Sequence, residues 1–280
     1  MPTAVLAVMA GILGVLVGAL LNALADDLPE GERLHLPHYP DGSPRPKRAW
    51  LGLSAFALGL RAGPPILPDP AEGQEAAAPR PNRLGWRHPL LELTLGLAYA
   101  GLVIAFPDEP ALWAWLIYVA ILALITVIDL EHRLILFVVI VPSCLFALLV
   151  ALISPQAGKS FQEYVWGGVL GFLLFLAMFL GGAAFSTLMG RDEVAFGFGD
   201  VMLATLSGLM LGWRAFIFAA LITVVAGAVG SLLYIFGRSL AGRRYRLFTP
   251  LPYGPYIVFG TLVMLLFRDD VRHLLQTTAY

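Results

Sequence analysis

The chain has 280 residues, of which 59% are hydrophobic and only 13% are charged, and its net charge is −1. A soluble globular protein usually carries about 25% charged residues, so this composition indicates a polytopic membrane protein. The near-zero net charge gives no indication of a nucleic-acid partner. The single cysteine, Cys144, excludes a disulfide framework and any metal site built from cysteine alone.

The first apolar segment, residues 1–25, contains no charged residue and exceeds the roughly 20 apolar residues that a membrane span needs. Its end, Ala23-Leu24-Ala25, resembles a signal-peptide cleavage site. Because no Lys or Arg precedes the run and the run is long for a signal peptide, we expect a retained anchor helix. Residues 26–88 are rich in Pro, Gly and charge, so we expect a small extramembrane domain. Its apolar stretch 49–60 is too short to cross and predicts a locally packed or interfacial helix.

Further apolar segments predict seven more spans, which makes the expected fold an all-α polytopic membrane protein with about eight transmembrane helices. The break at Gly212-Trp213-Arg214 divides residues 201–236 into a short sixth span and a seventh span. Glycines in the fifth and seventh spans predict helix-packing faces, at Gly167, Gly168, Gly171 and Gly227. The predicted spans after the first are residues 89–106, 111–128, 134–155, 164–189, the divided stretch 201–236, and 247–267.

Orientation follows from the distribution of basic residues. If the eight spans alternate, 14 of the 18 Lys and Arg residues lie on the side that holds residues 26–88. The positive-inside rule then places this side in the cytoplasm. Asp129 ends the third span and Asp200 begins the sixth, so both carboxylates return to the cytoplasmic edge of the membrane.

Two carboxylates at matching membrane depth are costly unless they face a partner or a wet cavity, which suggests a paired site. Close carboxylates cannot both ionise cheaply, so one proton is shared. The ionised member can then take a proton from water while the neutral member donates to a carbonyl oxygen, as in peptide hydrolysis by an aspartic dyad. The alternative is that Asp200 caps a helix and Asp129 is an interfacial charge. Gly197 and Gly199 favour the dyad, because glycine lets a substrate strand approach the backbone closely.

Five motifs spread along the chain carry a resemblance to a known family: Leu21-Asn22 with Leu28-Pro29, Trp86-Arg87-His88-Pro89-Leu90-Leu91-Glu92, Ile128-Asp129-Leu130-Glu131-His132-Arg133, Gly197-Phe198-Gly199-Asp200-Val201 and Pro252-Tyr253-Gly254-Pro255-Tyr256. They resemble motifs of the bacterial type IV prepilin peptidases, membrane aspartic proteases with a Gly-x-Gly-Asp motif that often also N-methylate their product. The resemblance covers nearly the whole chain and implies that Asp129 and Asp200 are catalytic. It further implies removal of a short basic leader from prepilin or pseudopilin precursors, at the cytoplasmic face of the bacterial inner membrane.

Departures from this family concern its cofactors. Many members carry two Cys-x-x-Cys pairs, interpreted as a zinc site, where residues 26–88 have no cysteine. His35 and His38 have the spacing of one pair, but structural zinc normally takes four ligands, so we expect surface histidines and no metal. Met202 stands where the family often has Lys, and the Ile-Pro that usually follows the first aspartate motif is missing. Proteolysis needs no cofactor, and methylation by S-adenosylmethionine rests on the resemblance alone.

Glu92 lies within the second predicted span, close to Arg87. It could contribute to a methyl-transfer site or form an ion pair with Arg87 near the membrane surface, and we expect the structural pairing. No Gly-rich nucleotide loop indicates where S-adenosylmethionine would bind.

Two other functions remain as alternatives. A proton-coupled transporter would use the aspartates as a proton relay, but it would favour acids near the bilayer midplane and inverted repeats. A catalytically silent scaffold for pilus or secretion assembly is less favoured, because both aspartates are present. We therefore expect a membrane aspartic endopeptidase with a first helix at 1–25, a cytoplasmic domain at 26–88 and a peptidase domain at 89–280. Its expected partners are precursor proteins and the lipid bilayer, with no nucleic acid.

Overall fold

The computed structural model describes residues 3–31, 35–63, 82–153, 159–188, 197–240 and 252–267, and the fold of these residues is all-helical. Five of the described helices are long and apolar enough to cross a membrane, and three more are apolar but shorter. The α-helices are α1 (Thr3–Asp27), α2 (Gly52–Ala57), α3 (Arg87–Ala105), α4 (Leu112–His132), α5 (Phe137–Ile153), α6 (Phe161–Leu188), α7 (Phe198–Leu211), α8 (Trp213–Leu240) and α9 (Gly254–Leu266).

Each predicted span coincides with one apolar helix. The sixth and seventh separate where predicted, at Gly212, whose φ of 77° is strained for any residue except glycine. The third span was predicted over 111–128 with Asp129 at its end, and α4 carries Asp129 in its last turn before it ends at His132. The eighth span was predicted over 247–267, and α9 covers its second part, from Gly254 with Pro255 in the first turn, where proline is tolerated. Residues 247–251 lie outside the described part of the chain.

The chain divides into two compact units, Met1–Leu124 and Ile125–Tyr280, and α4 contributes residues to both. In the first unit, α1 lies along α3. A Cβ added to Gly18 would stand 2.7 Å from the Cα of Glu92, so glycine is what allows the two helix backbones to approach. Small residues at such contacts are typical of helices that pack inside a bilayer.

A small folded segment, formed by residues 35–63 and 82–86, completes the described first unit. Its core is a buried cluster of Tyr39, Ala49, Ala55 and Leu84. The stretch predicted to form a short packed helix contains α2 and part of a 3-10 turn at Lys47–Ala49, which confirms a locally packed helix.

Glu92 fastens this segment to α3. Its buried carboxylate accepts hydrogen bonds from the backbone N–H groups of Gly52 (2.6 Å) and Leu53 (2.8 Å), at the start of α2. The partners that the structure gives Glu92 are thus backbone donors that α2 would otherwise leave unsatisfied. The expected pairing with Arg87 is replaced by this cap, while the Arg87 guanidinium contacts Asp26.

The end of α1 supplies a second fastening point. The Asp26 carboxylate lies 3.7 Å from the guanidinium of Arg45 and 3.4 Å from Nε2 of His88, in addition to its contact with Arg87. Burial lowers the pKa of the Arg45 guanidinium, and the charge of Asp26 opposes that effect. This network joins the folded segment to the ends of α1 and α3.

In the second unit, glycines again set the helix contacts. A Cβ on Gly167 would stand 2.8 Å from the backbone of Gly212, and one on Gly171 would stand 2.9 Å from the carbonyl carbon of Ala204. Gly227 of α8 similarly lies against the ring of Tyr253. These contacts confirm the predicted packing faces. A hydrogen bond of 2.7 Å between the hydroxyls of Ser207 and Thr261 joins α7 to α9.

Candidate active site

Asp129 is a buried carboxylate in the last turn of α4. The helix ends there because Arg133 adopts a left-handed backbone conformation (φ 55°) while its N–H still donates to the carbonyl of Asp129 over 2.9 Å. Oδ2 of Asp129 is buried and has no hydrogen-bond partner among the described residues. A buried polar atom without a partner is costly, so this oxygen is available to a water molecule, a substrate group or a shared proton.

Asp200 occupies the third position of α7 and is nearly buried. Its Oδ2 accepts a hydrogen bond from the backbone N–H of Gly197 (3.2 Å), and its own N–H donates to the carbonyl of Gly197 (3.1 Å). This is the acidic half of a capping box, which fixes the carboxylate against the start of the helix. Asp200 therefore has the capping contact considered as an alternative, and this contact uses one of its two oxygens.

The two carboxyl groups belong to the same compact unit and are close enough for their charges to interact. Like charges at such proximity inside a poorly solvated site disfavour double ionisation. The structure therefore brings together the two acids that the sequence separates by α5 and α6. In chemical terms, a pair that holds one proton offers both a proton acceptor and a proton donor.

Gly254, the first residue of α9, lies directly against the Asp129 carboxylate. A Cβ at this position would stand 3.0 Å from Cγ of Asp129 and closer still to Oδ2. The start of a helix also presents free backbone N–H groups and the positive end of the helix dipole, which favour a nearby carboxylate. The N-terminus of α9 is thus the surface against which Asp129 is positioned.

The two glycines before Asp200 have different surroundings. Gly197 has an extended backbone (φ −83°, ψ 148°), and the nearest atom that a Cβ there would meet among the described residues is Oδ2 of Asp200, at 3.8 Å. A Cβ on Gly199 would stand 2.7 Å from Cβ of Ile135, so Gly199 makes room for a side chain of this chain. The room for a substrate strand that the sequence suggested stays a prediction, and Gly197 is the less crowded of the two positions.

Comparison with known proteins assigns the family. The type IV leader peptidase family matches residues 116–232, a range that includes both aspartates. The prepilin leader peptidase/N-methyltransferase of Burkholderia pseudomallei (strain K96243) is 30% identical over 95% of this chain and 87% of the relative. The chain belongs to the type IV leader peptidase family. This confirms the resemblance drawn from the five motifs and favours an enzyme over the transporter alternative.

Other relatives of this leader peptidase cover it almost fully. The prepilin leader peptidase/N-methyltransferases of Stutzerimonas stutzeri and Pseudomonas aeruginosa are 26% and 24% identical to it, each over 93% of this chain and 90% of the relative. The comparison with solved structures found no match.

The histidines considered for zinc lie beside the end of α1 in the leader peptidase. His35 donates its backbone N–H to Oδ2 of Asp27 (2.7 Å), and Nε2 of His38 lies 3.6 Å from Oδ1 of the same carboxylate. Within the described ranges, no group of three or more His, Cys, Asp or Glu side chains has a geometry that could bind a metal ion. The described residues around these histidines therefore do not fit a zinc site.

Two residues of the candidate site were assigned no contact from the sequence: Gly254, which lies against Asp129, and Ile135, which lies against Gly199. Gly254 lies within the Pro-Tyr-Gly-Pro-Tyr motif, which was recognised by resemblance but assigned no contact. Ile135 packs on Gly199 and has no motif of its own, so nothing in the local sequence indicates it. Ile135 lies just before α5, and the packing of α5 on α7 brings it against Gly199.

Proposed function

We propose that this leader peptidase removes the short basic leader from type IV prepilins or pseudopilins, with Asp129 and Asp200 as its catalytic pair. One observation carries the proposal: two buried carboxyl groups with interacting charges lie in one compact unit of a chain from this family. Its relatives bear the name prepilin leader peptidase, which supports prepilins as the substrate class.

The chemistry of the pair is a hydrolysis. The ionised carboxylate takes a proton from a water molecule, and the oxygen of that water forms a bond to the carbon of the scissile carbonyl. The protonated carboxyl donates its proton to the carbonyl oxygen in the same step. When the tetrahedral intermediate collapses, the C–N bond breaks and the leaving amine receives a proton from the pair. The partnerless Oδ2 of Asp129 is the atom best placed to bind the attacking water.

The backbone near Gly197 is the proposed place for the extended leader. Because a Cβ at this position would make only ordinary van der Waals contacts with the described residues, we place the substrate strand beside the start of α7. Gly199 supports the site differently, by allowing Ile135 to pack under the helix start. A peptide along Gly197 would have its carbonyl near Asp200, since Gly197 and Asp200 are hydrogen-bonded.

The proposed location is the bacterial inner membrane, with all eight apolar helices embedded and the pair at the cytoplasmic edge. Helix α7 has 14 residues, which corresponds to about 21 Å at 1.5 Å per residue. This is shorter than the bilayer core of about 30 Å, so a turn of α7 can lie below the membrane surface. Residues 26–88 would form the cytoplasmic domain and residues 89–280 the peptidase domain, in accord with the distribution of basic residues.

Methyl transfer would require S-adenosylmethionine, and the contacts of Glu92 give no indication of where it would bind. Both oxygens of the Glu92 carboxylate accept backbone hydrogen bonds at the start of α2, which gives this side chain a structural role as a helix cap. We therefore derive no methyl-transfer step. The relatives are named N-methyltransferases as well as peptidases, so the cleavage assay also measures methylation of the product.

The test is a cleavage assay on the purified full chain in lipid nanodiscs, with a full-length prepilin as substrate and intact mass as the readout. We expect loss of the leader mass with wild type, no detectable loss with Asp200→Asn, and full activity with the exposed control Glu131→Gln. A further gain of 14 Da, seen only with S-adenosylmethionine, would establish methylation. Cleavage by Asp200→Asn at the wild-type rate would overturn the proposed site.

A further inference from the structure

We infer that the small folded segment lies on the bilayer surface, where Phe56, Arg61 and Trp86 form a binding patch for one anionic phospholipid. These three residues are called the lipid patch. The inference goes beyond the proposed peptidase activity, and it rests only on α3 crossing the membrane. Helix α3 is among the helices that are long and apolar enough to do so.

The position of Trp86 on α3 indicates what covers its ring. The Trp86 carbonyl accepts a helical hydrogen bond from the N–H of Leu90 (3.2 Å), so Trp86 stands directly before the first turn of the span. Leu90, Leu93 and Leu97 follow it at helical spacing on the same face, and all four side chains are exposed. Because these leucines face the acyl chains of a bilayer that α3 crosses, the indole above them lies at the level of the headgroups. Tryptophan is enriched at that level of membrane proteins.

Helix α2 is held close to the same level. The backbone N–H groups of Gly52 and Leu53 donate to Glu92, in the second turn of α3. This turn is about 8 Å from the start of the helix at 1.5 Å per residue. A Cβ on Gly52 would stand 2.6 Å from Cβ of His88, so α2 lies directly against the beginning of α3. These contacts keep the folded segment at the membrane surface.

Phe56 and Arg61 extend the surface of Trp86 into an amphipathic patch. The ring centroids of Phe56 and Trp86 are 4.8 Å apart, and the Arg61 guanidinium lies 5.8 Å from the centroid of the Phe56 ring. Arg61 is exposed. A guanidinium can bind a phosphate through its N–H groups while its planar face rests on an aromatic ring. The two rings offer an apolar surface to the glycerol and upper acyl region of the same lipid.

The charge of the surrounding segment favours an anionic lipid. Asp41 is the single acid of residues 35–63 and 82–86. The exposed basic side chains of these ranges are Lys47, Arg48, Arg61 and Arg83. Basic clusters beside a membrane span attract anionic headgroups. The proposed prepilin leader is itself basic and would be repelled, so a lipid headgroup fits the patch better than the leader does.

The test is native mass spectrometry of the purified full chain, titrated with phosphatidylglycerol or with phosphatidylcholine of the same acyl chains. Wild type should bind phosphatidylglycerol more tightly. Arg61→Gln should raise the Kd for phosphatidylglycerol about fivefold, as for one basic residue at a membrane surface. The control Lys47→Gln removes an equal charge from the 3-10 turn and should change that Kd less than about twofold, because a distant exposed charge is screened. Trp86→Ala should weaken both lipids alike, since it removes an apolar contact.

A second measurement locates the contact in a bilayer. Amide hydrogen exchange of residues 52–61 should be slower in nanodiscs that contain phosphatidylglycerol than in nanodiscs of phosphatidylcholine alone. This difference should disappear in Arg61→Gln and persist in Lys47→Gln. Exchange that does not depend on the lipid in wild type would contradict the contact.

Other outcomes would overturn the inference in different ways. Equal losses in Arg61→Gln and Lys47→Gln would show a diffuse effect of charge rather than a site. Equal affinity of wild type for both lipids, or unchanged lipid binding by Trp86→Ala, would exclude the lipid patch. A wild-type dimer that Trp86→Ala dissociates would assign the patch to a second copy of the chain. These readouts do not use leader cleavage, so a failure of the proposed function is recognised separately.

Discussion

Replacing Gly254 by alanine tests how Asp129 is positioned. The added Cβ would stand 3.0 Å from Cγ of Asp129 and closer to Oδ2, whereas ordinary van der Waals contact begins at 3.4 Å. The carboxylate must therefore withdraw by several tenths of an ångström to about 1 Å. A displacement of about 1 Å at a reacting group can lower the rate about 100-fold. We expect Gly254→Ala to lower kcat to that extent with little change in KM.

We expect Gly254→Ala to lose activity without a matching loss of stability. Gly254 is not among the glycines with positive φ, so alanine can adopt its backbone conformation. Alanine also favours a helix by about 1 kcal/mol over glycine, which offsets part of the local crowding. The assay combines single-turnover cleavage of a prepilin with the melting temperature in nanodiscs.

The matched control is Gly181→Ala in α6, because a Cβ there would meet nothing within 4 Å. It makes the same change in a membrane helix and should leave kcat unchanged. Full activity of Gly254→Ala would refute the reasoning, since it would show that the Asp129 carboxylate does not depend on the start of α9. A melting temperature far below that of Gly181→Ala would instead indicate a packing role for Gly254.

Three further predictions follow from close contacts. Gly208→Ala would press its Cβ into the backbone of Gly167, so we expect α6 and α7 to separate and stability to fall by about 1–3 kcal/mol, measured by denaturant unfolding. An unchanged unfolding midpoint would contradict that contact. Glu92→Gln replaces the charged cap of α2, so limited proteolysis of residues 35–63 should become faster while leader cleavage persists. Unchanged proteolysis would contradict a stabilising role for this cap. Gly199→Ala should lose activity that Ile135→Ala restores in the double variant, and independent losses in a double-mutant cycle would argue against their contact.

The helices were predictable because apolar composition and glycine breaks are local properties of the sequence. The division between α7 and α8 at Gly212 shows this, since one residue in the left-handed region ends a helix wherever it stands. The start of α9 at Gly254 was harder to predict, because Pro252 and Tyr253 before it carry no charge that would end an apolar segment. The prolines at 252 and 255 limit where the helix can begin, but the sequence alone does not give the residue at which it begins.

The acidic pair was predictable for a topological reason. In the predicted topology, two crossings of the membrane return the chain to the same face, so Asp129 and Asp200 are expected at one edge. Side-chain contacts between residues far apart in the sequence could not be predicted, as Glu92 illustrates. The sequence places Arg87 five residues from Glu92, but the actual partners are the backbone N–H groups of Gly52 and Leu53, some 40 residues earlier.

The most direct test of the central claim compares the rates of leader cleavage by Asp129→Asn, Asp200→Asn and the double variant. Groups that act as one catalytic unit are not additive, so each single variant should lose nearly as much activity as the double variant. All three should keep the melting temperature of wild type within a few degrees. If either single variant cleaves at the wild-type rate, or if the two losses simply multiply in the double variant, Asp129 and Asp200 do not act together as the catalytic pair.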